Sequence, residues 1–312
     1  MLHLIQPQVR DRQEALRREF SEAQPFRHIV VDDFLHPGLC QRLIAEFPSF
    51  DARHAINEHG EIGRKAVVPE IARIGRAHAE FDRLMRSREF LDWLGGVVSL
   101  ERLLYDPEYV GGGTHENLDG QDLDAHVDFN YHPRRPLHRR LNLILFLNPE
   151  WREEWGGCLE LQRDAWQPDA DSGARHILPL ANRCVVFETT ESSWHGFSRI
   201  RLPADRKHQS RRSIAVYFYT KERPAAETAA PHGTVYVPRP LAAHLQSGYQ
   251  LQADDVAEME TLLARRDCQI QYLYQRELDF SRALAGIYAS PSFRIGRALT
   301  WPLRALRDWM KR

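Results

Sequence analysis

From about Leu100 to Thr220 the apolar residues of this 312-residue chain stop following a helical period and gather into short runs. That change restricts the fold more than any other feature. Leu141-Asn-Leu-Ile-Leu-Phe-Leu147 is a strongly apolar strand pattern halted by Asn148-Pro149. Gly156-Gly-Cys-Leu-Glu-Leu161 reads as a strand entered through glycines; Arg183-Cys-Val-Val-Phe187 and Ser213-Ile-Ala-Val-Tyr-Phe-Tyr-Thr220 read as two more. Short strands between glycine- and proline-rich turns, with no alternating βαβ units, predict an antiparallel sandwich or jelly roll and not a parallel sheet.

The residues before this zone are mainly helical. Residues 8–22 predict an exposed helix, Phe26–Val31 a short strand, and His36-Pro37 the start of a helix striped by Leu39, Leu43, Ile44 and Phe47. Residues 80–94 predict one amphipathic segment ended by Gly95-Gly96. After Lys221 comes a linker, ERPAAETAAPHG, and then residues 253–288 read as one long helix. The expected class is α+β: a first domain over 1–222, with helical support at 1–100 and the β fold at 101–222, followed by a helical extension over 223–312.

Bulk properties narrow the partners. A formal net charge of -1 gives no global field toward nucleic acid or membrane. Cys40, Cys158, Cys184 and Cys268 lie far apart without finger spacing, so free thiols in a reducing compartment are expected. The N-terminus lacks the apolar core of a signal peptide and no apolar run spans a bilayer, which makes the cytoplasm the expected location.

The chemistry starts at His126-Val127-Asp128. On a strand, residues two apart share a face, so this pair aims an imidazole and a carboxylate into one space. His59-Gly-Glu61 and His78-Ala-Glu80 have the same form but fall in the helical zone, where i and i+2 diverge; both read as solvated surface. The pair at 126 follows a Gly111-Gly-Gly113 loop, and Trp194-His195-Gly196 comes after the strand at 183–187. Two histidines and a carboxylate on one face of a metal suit non-haem Fe(II) oxygenases, and zinc hydrolases use the same set.

The strand at 211–220 separates these readings. Arg211, Ser213, Ala215 and Tyr217 share one face; Arg212, Ile214, Val216 and Phe218 share the other. The apolar second face belongs under helices, so the first lines a cavity with an arginine at its rim. A buried guanidinium requires an anion and grips a carboxylate through two parallel hydrogen bonds. A dicarboxylic co-substrate meets that need, with the Ser213 hydroxyl beside it; a surface ion pair at a strand end is the plainer alternative, and Arg212 is the second candidate for the same role.

With these residues in place, the sequence resembles the 2-oxoglutarate/Fe(II)-dependent dioxygenase superfamily, in its prolyl-4-hydroxylase-like branch. The resemblance is carried by GGGTHENLDGQDLDAHVDFN, RRLNLILFLNPEWREEWGGCLEL and CVVFETTESSWHGF followed by RRSIAVYFYT, within roughly residues 26–222. It implies a double-stranded β-helix, a jelly roll with flanking N-terminal helices. It implies that His126, Asp128 and His195 hold Fe(II) and that Arg211 and Ser213 take the far carboxylate of 2-oxoglutarate. It implies O2 as oxidant, with ascorbate as an accessory, and hydroxylation of a substrate C–H bond with release of succinate and CO2. Asn142 falls where the family often has a polar residue facing the co-substrate. Phe146 falls where some members carry a tyrosine, a departure that leaves the second contact to the far carboxylate open. His115 lies where co-substrate or substrate contacts occur, a backbone-bonded loop histidine being the alternative. Trp194 and Asn130 flank the ligands.

Two features lie in the extension. Val256, Met259, Leu263, Ile270, Leu273, Phe280, Leu284 and Ile287 fall on alternating steps of three and four, interrupted by Arg266 and Glu277. Such a series predicts either a coiled-coil homodimer through 253–288 or a helix packed on its own domain. Residues 281–312 hold seven Lys/Arg against one Asp, together with Trp301 and Trp309, a composition suited to peripheral contact with an anionic membrane. Part of this stretch, IYASPSFRIGRALTWPLRALRDW, also resembles tails of bacterial cell-envelope glycosyltransferases, which implies a saccharide-related substrate. The readings carried forward are an oxygenase acting on peptidyl or free proline or on an envelope saccharide, a zinc-dependent hydrolase, and a non-catalytic jelly-roll binding module.

Overall fold

The computed structural model describes residues 1–55, 65–167, 173–242 and 244–302. They form two compact units, Met1–Arg239 and Pro240–Arg312.

In the first unit, two helices, α1 (Pro7–Arg10) and α2 (Gln13–Glu22), precede strand β1 (His28–Val31) and helix α3 (Pro37–Ala45). The stretch expected as one exposed helix is thus two, and it is not solvated all round: Val9, Leu16 and Phe20 are buried. Its narrow apolar stripe docks on a later helix, and polar side chains finish the contact. Gln13 donates to the Trp93 carbonyl, Arg17 to the Gly96 carbonyl, and the Trp93 indole to the Arg10 carbonyl. Pro37 opens α3 as expected, and the His36 ring accepts from the Gly38 amide.

Strand β2 (Lys65–Val68) leads to α4 (Arg76–Met85) and α5 (Arg88–Val98). These two helices replace the single segment expected over 80–94, because Ser87 adopts extended backbone and its hydroxyl caps the Phe90 amide. Gly95 and Gly96 do not end α5. The helix runs on to Ser99, which takes the left-handed conformation (φ 56°). Gly95 is needed for packing instead, since a Cβ there would lie 2.5 Å from the Leu100 carbonyl oxygen. His78 is fully buried on α4, contrary to the surface position expected, with its ring beside Glu46 and Phe47; Glu80 pairs with Arg42. His59 and Glu61 lie outside the described residues.

The remaining strands are β3 (Leu104–Tyr105), β4 (Gly113–Asn117), β5 (Leu123–Val127), β6 (His138–Phe146), β7 (Leu159–Gln162), β8 (Arg175–Ile177), β9 (Cys184–Glu188), β10 (Trp194–Phe197), β11 (Arg211–Thr220) and β12 (Val235–Val237). Residues 106–124 contain β4 and the start of β5. The strands form two antiparallel sheets. One runs β1-β9-β6-β11-β4-β2 with β3 also on β11; the other runs β12-β5-β10-β7-β8. The first unit continues past residue 222 because β12 pairs with β5, placing Tyr236 opposite His126.

The larger sheet divides its side chains as the alternation of β11 predicts. Ile214, Val216 and Phe218 join Leu141, Leu143 and Leu145 of β6 in a core shared with Phe81, Phe90, Leu94 and other helix residues. The opposite face packs toward the second sheet, where Phe146, Val185 and Phe187 meet Leu159 and Leu161. Burying one such side chain contributes roughly 1.5–3 kcal/mol, so the helices fix the larger sheet rigidly on one face and leave its other face to build a cavity. This is the jelly-roll arrangement expected, with helices flanking one sheet.

In the second unit, α6 (Ala253–Ala289) is a single 37-residue helix. Ser290 ends it and caps α7 (Pro291–Leu299) by accepting from the Phe293 amide. No helix among the described residues is long and apolar enough to cross a membrane. Residues 303–312, the end of the basic tail, lie outside the described residues.

Candidate active site

Between the sheets lies a cavity of about 210 Å³. His126 on β5 and His195 on β10 are direct partners across an antiparallel ladder, with ring centroids 4.2 Å apart. Each ring is oriented the same way. Nδ1 of His126 donates to the Asp124 carbonyl at 2.9 Å, and Nδ1 of His195 to the Ser193 carbonyl at 3.0 Å. A carbonyl only accepts, so Nδ1 carries the proton and each Nε2 presents a lone pair to the cavity. Asp128, just past the end of β5, completes the group. Its carboxylate lies 3.8 Å from His126 Nε2 and 3.4 Å from His195 Nε2, and donor atoms of all three fall within 4.8 Å of one another.

Burial keeps the two imidazoles neutral, pushing His126 down to about 3 and His195 below its ordinary value. Burial opposes ionisation of Asp128 as well, but the Arg139 guanidinium, with the Asn142 hydrogen bond beside it, holds the carboxyl below its ordinary value. Two neutral imidazoles and an ionised carboxylate converging on one point form a donor set that fits a divalent transition metal.

The carboxylate is itself held. Asn142 Nδ2 donates to Asp128 Oδ2 at 2.7 Å, and Arg139 Nη2 lies 3.1 Å from the same oxygen. Arg139 also donates twice to Asn142 Oδ1 and stacks between Tyr217 (3.6 Å) and Phe129 (4.4 Å). Neither Arg139 nor Phe129 is evident in the sequence. Alternation from Asn142 would turn Arg140 inward. A bulge intervenes: Phe218 of β11 pairs with Leu141, but Tyr219 pairs with Arg139, leaving Arg140 as the extra residue. Arg139 consequently faces the cavity, and Arg140 forms an ion pair with Glu227.

Arg211, Ser213, Ala215 and Tyr217 all line the cavity, as their alternation predicts. Arg211 is 4% exposed. Its Nε donates to the Gly157 carbonyl at 2.6 Å, and its guanidinium lies over Phe197 (4.3 Å) and Phe146 (5.0 Å). Among the described residues no carboxylate forms an ion pair with it, and burial pushes its pKa down to about 10. Gly157 (φ +69°) makes room: a Cβ there would press Ile200, Trp151 and Arg211 at 3.0–3.3 Å. Arg212 points away, to Glu116 and Ser210. His115 sits opposite Ser213 in the β4–β11 ladder and lines the same cavity, with its Nε2 buried and without a hydrogen-bond partner among the described residues. Phe146, in place of a tyrosine, offers Arg211 a ring face and no hydroxyl.

Trp194 and Asn130 do not line the cavity. Trp194 packs with Val127 and Val237, and Asn130 ties down the strand-free stretch at Ala230 and His232. Lys65, Asn117, Thr234 and Tyr236 complete the wall. Tyr236, 5.1 Å from the His126 ring, enters through β12, an edge strand just past the stretch that reads as linker.

Residues 113–219, which contain all three metal-ligating candidates and β11 as far as Tyr219, match the 2OG-Fe(II) oxygenase superfamily. Among curated relatives of this chain is Prolyl 3-hydroxylase OGFOD1 of Mus musculus, 24% identical over 199 residues. The match takes in 64% of this chain and spans about a third (33%) of that relative's length. Solved structures similar to this chain include a prolyl-4-hydroxylase from Pseudomonas putida (17% identity, TM-score 0.47, 68% of this chain and 100% of that one). Another is HygX from Streptomyces hygroscopicus with nickel and 2-oxoglutarate bound (14% identity, TM-score 0.45, 72% and 94%). Fe(II) and 2-oxoglutarate are the cofactors of the matched superfamily, and the cavity fits both: a two-histidine, one-carboxylate donor set for the metal, and a buried guanidinium with no carboxylate partner among the described residues for the co-substrate.

Proposed function

We propose that this protein is an Fe(II)- and 2-oxoglutarate-dependent oxygenase that hydroxylates a C–H bond. The observation that carries this reading is Arg211. It is a buried cation with no carboxylate partner among the described residues, and it lines the same cavity as a three-donor metal group. Hydrolysis on zinc needs no dicarboxylic co-substrate, so a guanidinium ready for a carboxylate beside the donor set favours the oxygenase reading, and the three donors plus Arg211 are more than a vestigial binding module needs.

His126, Asp128 and His195 hold the metal through the two Nε2 atoms and the carboxylate. Arg211 and Ser213 hold the far carboxylate of 2-oxoglutarate, and His115 offers a further polar atom beside Ser213. Asn142 and Arg139 orient Asp128 and neutralise part of its charge. When bound, the cofactors supply the oxidising power, as decarboxylation of 2-oxoglutarate to succinate and CO2 consumes O2 and leaves one oxygen atom for the substrate. Phe129, Phe146, Phe197 and Tyr217 exclude water from the buried charges, which strengthens each of these contacts. The wall near Tyr236 and Lys65 is left to face the substrate.

Peptidyl or free proline is the substrate class suggested by the curated relative; an envelope saccharide is the one suggested by the C-terminal tail. Succinate formation, screened with proline peptides, free amino acids and nucleotide sugars, tests both. Stimulated turnover by one class selects it. No 2-oxoglutarate turnover with iron verified as bound refutes the oxygenase reading.

We also propose peripheral membrane contact through residues 281–312. Ile295, Leu299 and Trp301 are exposed at 61%, 74% and 67% beside Arg294 and Arg297. Co-sedimentation with anionic liposomes should be lost on removing residues 281–312; equal binding rejects the contact.

A further inference from the structure

We propose that α6 forms an antiparallel two-stranded coiled coil with α6 of a second copy of this chain. The inference is independent of the oxygenase reading. It starts from a 37-residue helix carrying a regular apolar row that stays exposed. Leu263 is 57% exposed, Ile270 48%, Leu273 53% and Phe280 65%. A helix of this length gains little from intrinsic propensity, and a continuous apolar row of this kind calls for a partner.

The two charged interruptions identify that partner. On a strict alternation of three- and four-residue steps, Arg266 and Glu277 occupy opposite kinds of core position: one three steps after its predecessor, the other four. In an antiparallel pair, each rung joins one position of each kind. Let the two-fold axis cross between residues 271 and 272. Ile270 then meets Leu273 of the second copy, Leu263 meets its Phe280, and Arg266 meets its Glu277. Every rung out to the ends of the row, from Val256 to Ile287, pairs two apolar residues except this one. The exception recurs on both sides of the axis as two opposite-charge pairs. The same face is therefore complementary to itself under a two-fold operation.

A parallel pair in register would place Arg266 against Arg266 and Glu277 against Glu277, two like-charge contacts inside an apolar row. It would also set the flanking Asp255 against Glu260 of the other strand. The charges thus select the antiparallel orientation. Buried ion pairs contribute little net stability, but they discriminate strongly between registers.

Sedimentation of the full chain tests the proposal, with dimers expected at micromolar concentration. Glu277→Arg should weaken self-association by roughly tenfold or more, because like charges then meet on two rungs. Arg266→Glu combined with Glu277→Arg should restore it, while far-UV circular dichroism stays unchanged in all three proteins. Orientation is read by cross-linking in a Cys268→Ser background. A mixture of Leu263→Cys and Phe280→Cys chains should form disulfide-linked dimers that neither variant forms alone. A monomer at high micromolar concentration, association insensitive to Glu277→Arg, or a Leu263→Cys variant that links to itself would each overturn the proposal.

Discussion

Asn142 donates its amide N–H to Asp128 Oδ2 at 2.7 Å, and its own carbonyl oxygen is held by two N–H groups of Arg139. The amide cannot rotate without losing both contacts, so the carboxylate is presented to the metal in one orientation. Asn142→Ala should therefore lower Fe(II) affinity by about 10- to 100-fold, the usual consequence of removing a group that orients a ligand. Metal titration checks this; an unchanged affinity would mean that Arg139 alone holds Asp128.

Arg211 and Arg212 are adjacent and chemically identical, yet only Arg211 lines the cavity. Arg211→Ala should raise the 2-oxoglutarate concentration needed for half-saturation by roughly a hundredfold, since a buried carboxylate would lose its partner. Arg212→Ala removes a contact with Glu116 and should leave that requirement unchanged. Calorimetric titration of 2-oxoglutarate into the Fe(II)-loaded variants separates the two; the reverse order would move the anchor to Arg212.

The strand alternation that exposes Arg211 is legible in the sequence because β11 is regular over residues 211–218. So are the three metal donors, since His126 and Asp128 flank one residue and His195 follows a clear strand. Arg139 is hidden for a local reason: the bulge at Arg140 inverts the parity on which such readings depend. Tyr236 is hidden because a three-residue edge strand has no period to read. The helix boundaries are missed where one polar cap, Ser87, outweighs a continuous apolar stripe. His78 is missed because a histidine on the buried side of α4 looks in sequence like any polar residue.

Burial depresses the pKa of His28, His78, His115, His126 and His195. An unfolded histidine takes up its proton near pH 6.5, whereas these folded ones resist to lower pH. As the pH falls below about 6.5, the unfolded chain binds protons that the folded chain does not, and stability falls. Asp128, with its pKa lowered, adds a further loss in more acidic solution. The urea midpoint of metal-free protein should consequently drop between about pH 7.5 and about pH 5.5. His126→Gln should show a shallower drop; a midpoint that rises on acidification would contradict the burial of neutral imidazoles.

In the proposed function, His126, Asp128, His195 and Arg211 build one site for a metal and a dicarboxylate together. The most direct measurement is the visible absorbance of the protein mixed without oxygen with Fe(II) and 2-oxoglutarate. A weak charge-transfer band is expected that needs both additions, saturates with 2-oxoglutarate, demands more of it in Arg211→Ala, and is absent in His195→Ala. With bound iron verified, the absence of any band in the wild-type protein would contradict it.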